Sequence, residues 1–94
     1  MDLYVVHRRS GWADTDELRE AAARSKAVAD AEFQGHINWI RTYVVPEADG
    51  RLGTTCIYEA SSPEKIREHA ERAHLPVTEI LRSISTVVMQ PDPA

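Results

Sequence analysis

Between Cys56 and His74 the chain places a thiol, a carboxylate and two imidazoles (Cys56, Glu59, His69 and His74) on what reads as one strand followed by one helix. All three side-chain types bind first-row divalent cations, and all three are also ordinary residues of a small α+β core. The spacing bears on which reading holds. On an ideal helix a gap of five residues sets His69 and His74 about 140° apart. One ion can bridge them only if the helix ends near Ala73 and lets His74 swing back, and Leu75-Pro76 supplies such a stop. Glu71 is a further carboxylate on the same turn. In the competing reading His69 packs at the edge of the stripe Ile66, Ala70 and Ala73, while His74 merely favours the negative end of the helix macrodipole.

The strand residues divide by parity. Cys56 alternates with Tyr58 and Ala60, and Glu59 with Ile57, so Cys56 and Glu59 point to opposite faces and share an ion only across a bulge. A single mid-strand cysteine reads first as a small buried hydrophobe. His7 shares its parity with Leu3 and Val5, which would direct it toward an interior cavity. For catalysis the acid–base repertoire is His7, His69, Tyr43, Tyr58 and Glu59. The chain lacks a nucleophile with an identifiable base, and it contains no GxSxG, phosphate-binding loop or dinucleotide fingerprint. Binding without turnover is therefore the expectation. Trp39 and Tyr43, with Tyr58 and Cys56 on the next strand, are candidate walls of a ligand cavity between sheet and helices.

The elements that must position these groups follow from pattern and punctuation. Leu3–Arg8 reads as a strand broken by Ser10-Gly11-Trp12. Asp14 with Glu17 three residues on forms a capping box for a helix to about Glu32, with Leu18, Ala21, Ala22, Ser25, Val28 and Ala29 at helical spacing and Gly35 closing it. Ile37–Val45 is a strand, Pro46 to Gly50 a turn, and Leu52–Ala60 a strand. Ser62-Pro63 opens the second helix, and Glu79–Met89 carries the last strand. The order β-α-β-β-α-β is the ferredoxin-like arrangement, an α+β fold with a four-stranded antiparallel sheet and both helices on one face. Residues 1–89 form its single domain and 90–94 a frayed tail. Apolar residues of both parities on the second strand (Ile37, Trp39, Tyr43 and Val45 against Ile40 and Val44) imply that the uncovered face is buried too, by a second copy in a dimeric α/β barrel.

Composition narrows the partners. The chain of 94 residues is 43% hydrophobic, enough for one small core, and such a domain buries only about 60–65% of its unfolded surface. Eleven basic against fifteen acidic residues give a net charge of −4, which disfavours nucleic acid. The one cysteine cannot form an internal disulfide and points to a reducing, cytoplasmic setting. No window reaches the length of apolar sequence that a membrane span needs, and the N-terminus enters a strand pattern directly.

Trp39-x-x-x-Tyr43-Val44, Cys56-x-Tyr58-x-Ala60, Glu64-x-Ile66-Arg67-Glu68-His69-Ala70 and Leu75-Pro76 resemble a bacterial family of small ferredoxin-like domains of unknown function, often labelled nickel-binding protein. The resemblance implies a dimeric ferredoxin-like fold, a homodimer, and, in the members from which the label derives, binding of Ni²⁺. Of the donors above, His69, His74 and Glu59, with His7 as a further candidate, are the expected ligands in this chain. His74 stands where many members of that family have Gly, and His7 where an acidic residue is usual. The role implied is sequestration or sensing. The fold also suggests, by analogy alone, a cofactor-free oxygenase or isomerase with its cavity between sheet and helices.

Overall fold

The computed structural model describes residues 1–93; Ala94, the end of the expected tail, lies outside the described residues. Strand β1 (Asp2–Trp12) leads into helix α1 (Thr15–Glu32), followed by β2 (Ile37–Pro46), β3 (Leu52–Ala60), helix α2 (Pro63–Arg72) and β4 (Glu79–Ser83). The strands lie in the order β2-β3-β1-β4, every neighbouring pair antiparallel. This is the ferredoxin-like arrangement that the element order demands.

Local chemistry starts each helix as expected. The Asp14 carboxylate accepts from the Glu17 N–H at 2.9 Å, while the Glu17 side chain reaches back one residue further than in a standard capping box, to the Ala13 N–H. The Ser62 hydroxyl accepts from the Lys65 N–H, with Pro63 in the first turn. The sheet face under the helices holds Tyr4 and Val6 of β1, Cys56, Tyr58 and Ala60 of β3 and Ile37 of β2, packed with Phe33 and Ile66 from the helical layer.

Three expectations change. The first strand is not broken at Ser10-Gly11-Trp12. It passes through an irregularity between Arg8 and Trp12, with Ser10 at φ 50°, and resumes by pairing Trp12 with Leu52. Gly11 is needed there because a Cβ would sit 2.9 Å from the Pro76 ring. The last strand ends at Ser83, not Met89. The ladder with β1 runs from His7 opposite Glu79 to Leu3 opposite Ser83, and no pairing continues past it among the described residues. Ile84, Val87, Val88 and Met89 are exposed, and the chain then brings Asp92 onto Arg41 and Tyr43 of β2.

The third change resets the faces of β2. Trp39 pairs with Tyr58, but Arg41 pairs with Ile57, so Ile40 is a bulge and parity reverses across it. Ile37, Trp39, Thr42 and Val44 therefore share the helix-covered face, and Asn38, Arg41, Tyr43 and Val45 the open face. β2 thus places apolar residues on both faces, but in sets that strict alternation does not give, and Leu3, Val5, Ile57 and Leu81 of the other strands join Tyr43 and Val45 on the open side.

Candidate functional site

His69 is the central imidazole and is 1% exposed. It completes the stripe Ile66, His69, Ala70 and Ala73, spaced for one buried helix face. Its Nε2–H donates to the Ser25 carbonyl oxygen at 2.9 Å, with the Ser25 hydroxyl at 3.4 Å. The carbonyl can only accept, which fixes the proton on Nε2 and leaves Nδ1 as a buried acceptor with no partner among the described residues. The Phe33 and Tyr58 rings flank it edge-on. Burial holds its pKa below the ordinary imidazole value against the raising effect of the Ser25 carbonyl, and the positive Arg8 adds to the lowering. His69 is a neutral core histidine that ties α2 to α1.

His74 lies where α2 stops. Its N–H reaches the Glu71 carbonyl at 3.3 Å and the Leu75 N–H the Ala70 carbonyl at 2.8 Å, with His74 itself at φ 55°. This is a Schellman ending with His74 in the left-handed position usually given to glycine. The turn does bring the chain back on itself, but His74 remains exposed while His69 is enclosed. The two imidazoles do not share an environment.

Glu59 and His7 are on the far side of the sheet from His69. Glu59 accepts from the Asn38 amide at 3.2 Å. His7 points to the open face, not an interior cavity, with its Nδ1 3.1 Å from the Thr55 hydroxyl. Leu3 pairs with Glu59 and His7 with Thr55, so the two candidates stand four residues apart along the sheet, about 13 Å. Cys56 faces the helices, opposite Glu59, as alternation requires. Among the described residues no three His, Cys, Asp or Glu side chains gather as a metal-holding group. The set His69, His74, Glu59 and His7 thus fails to converge within one chain.

Register supplies one pair that the sequence could not. His7 is the direct partner of Glu79 across β1 and β4, both on the open face. Directly paired residues lie within about 5.5 Å, close enough for an imidazole and a carboxylate to meet one cation. Nickel takes such ligands but needs four to six of them, so the pair is an incomplete set.

On the other face a cavity of about 330 Å³ lies between α1 and the sheet. Trp39, Tyr58 and Cys56 line it, as expected; Tyr43 does not, because the bulge at Ile40 turns it to the open face, where its hydroxyl donates to Asp92. Its remaining polar lining includes Arg8, buried at 1% exposure, which sequence reasoning passed over. The signal was present: Tyr4, Val6 and Arg8 share one parity, so a cation ends an inward-facing row. Burial first, and then Cys56, hold the Tyr58 hydroxyl above its ordinary pKa. No carboxylate or imidazole is among the residues that line the cavity; of the acid–base candidates only Tyr58 reaches it.

These features define a small ferredoxin-like α+β protein with candidate metal donors on its open sheet face and a cationic cavity beneath its helices. Residues 4–82 match the family model described as nickel responsive protein SCO4226-like, and the chain belongs to that family. The crystal structure of SCO4226 from Streptomyces coelicolor A3(2) is similar in fold, with a TM-score of 0.73 and 22% identity over 90% of this chain and 99% of that one. A comparison with curated proteins gave no match.

Proposed function

We propose that this protein binds nickel as a cargo or signal ion, without turnover, in a homodimer joined through the open face of its sheet. Membership of a nickel-responsive family supports the ion. The observation that carries the site is the adjacency of His7 and Glu79 on a face otherwise rich in exposed apolar side chains, including Leu81 and Tyr43. One chain offers too few donors for a first-row cation, and a two-fold axis through this face would double them while covering the apolar surface. His7 and Glu79, with Glu59 further along the face, are the proposed ligands; His69 and His74 are not. The lone buried thiol, Cys56, is consistent with a reducing cytoplasmic setting. No helix among the described residues is long and apolar enough to cross a membrane.

The test is calorimetric titration of tag-free, metal-stripped protein with Ni²⁺, alongside sedimentation with and without the ion. His7→Ala and Glu79→Gln should each weaken binding about tenfold or more, and His69→Gln should leave affinity intact in protein that stays folded. Wild-type affinity in both open-face variants would refute the assignment.

A further inference from the structure

The geometry points to a second, metal-independent site: the cavity between α1 and the sheet binds a small apolar monocarboxylate, its carboxylate held by Arg8. A guanidinium is a cation with donors only and no acceptor. It is 1% exposed, yet its partners are neutral: the Pro76 carbonyl oxygen at 2.7 Å and the Tyr58 hydroxyl at 3.4 Å. None of the ion pairs among the described residues includes it. A guanidinium has five N–H donors in a planar fork, and a buried cation without a counter-ion carries a desolvation penalty that a bound anion would offset.

The cavity that Arg8 faces is complementary to such an anion. It is lined by a second cation, Arg19, and by no acidic residue, in a chain whose net charge is −4. Arg19 has only a loose contact with Asp16, at 4.0 Å, and is otherwise exposed at the α1 side. The remaining walls are largely apolar, with Trp12, Leu18 and Leu75 among them. Trp39 stands half-open to solvent, its indole N–H donating to Thr42 at 2.7 Å, which in turn donates to Cys56. That internal chain satisfies the polar groups of the β2 and β3 wall and leaves Arg8 as the cation without a charged partner. A volume near 330 Å³ is at the small end of ligand sites and suits one aromatic ring or a branched alkyl group with a short acid arm. Inorganic phosphate would gain the charge but not the apolar walls.

Both tryptophans of the chain line the cavity, so intrinsic fluorescence reports occupancy directly. Metal-stripped protein in chelator is titrated with phenylacetate, its neutral isostere phenylacetamide, and phosphate. This readout is independent of nickel, so the failure of either site leaves the other standing. The expected result is saturable quenching by phenylacetate at or below about 1 mM, with the amide and phosphate at least about tenfold weaker. Arg8→Met should remove the preference for acid over amide. Should that variant not fold, Ala22→Phe, which fills the cavity from α1 and leaves Arg8 in place, should abolish binding. Equal affinity for acid and amide, no saturation by either, or undiminished binding in Ala22→Phe would each overturn the proposal.

Discussion

His74→Gly should make this protein more stable, although it deletes a whole side chain. The residue sits at φ 55° in the position that closes α2. A non-glycine residue in the left-handed region costs about 1–2 kcal/mol through the clash between Cβ and the following carbonyl. Glycine returns about 0.5–1 kcal/mol of that by widening the unfolded ensemble. The motif itself survives the change, since both of its bonds are made by backbone: His74 N–H to Glu71 and Leu75 N–H to Ala70. So does the Arg24 contact with the His74 carbonyl oxygen. What is lost is an exposed imidazole. The net gain is about 0.5–1 kcal/mol, equivalent to a rise of about 3–6 °C in Tm for a domain of this size. Thermal and guanidinium denaturation of metal-free protein measure it. An unchanged or lower Tm would refute the backbone argument. Nickel titration of the same variant should match wild type.

Stability should also fall with acid in a way traceable to His69. Its folded pKa is depressed below the reference of 6.5, so the unfolded chain binds the proton first. Stability is then full above about pH 6.5 and declines as pH falls from there toward the depressed folded value. In chemical denaturation at stepped pH, His69→Gln should flatten that decline. Ile66→Ala, at a side chain 1% exposed in the centre of the core, should cost about 2–5 kcal/mol, a large share of a small domain's total stability, and urea midpoints would show it. Leu81→Asp places a charge on the open face and should convert a nickel-loaded dimer to a species of one chain, 10.6 kDa, by sedimentation equilibrium.

Much of the fold can be read in the sequence because its signals are local. The caps Asp14 and Ser62, Pro63 in the first turn and the stripe through Ile66 and Ala70 need only neighbours within one helical turn. The end of β4 does not, since Ile84, Val87 and Val88 have strand-forming side chains but no partner strand among the described residues. Parity also failed in β2, where the extra residue Ile40 moved Tyr43 out of the cavity and Val44 into it. A bulge depends on the partner strand, and Ile40 has no side chain that advertises one. The ligand candidates stand apart within one chain for a related reason: His69 and Glu59 are near in sequence, yet a strand reverses side at each residue while a helix covers one face alone. Glu79 could not be found at all without the register that seats it against His7.

The sheet therefore divides the chemistry of this protein. Side chains of one parity on β1 give Leu3, Val5 and His7 to the open face, and those of the other give Tyr4, Val6 and Arg8 to the helices. Each row ends in a group that departs from its apolar neighbours, an imidazole on one side and a guanidinium on the other, at adjacent positions. A cation bound at His7 and an anion held at Arg8 would be separated by one backbone thickness, and their charges would attract across it. Occupancy of either site should then favour the other, by the same factor in both directions as linkage requires. Titrating phenylacetate with and without saturating Ni²⁺ measures that factor. A ratio below one, with the two ligands opposing each other, would mean that the sheet shifts between two arrangements instead of acting as a fixed partition.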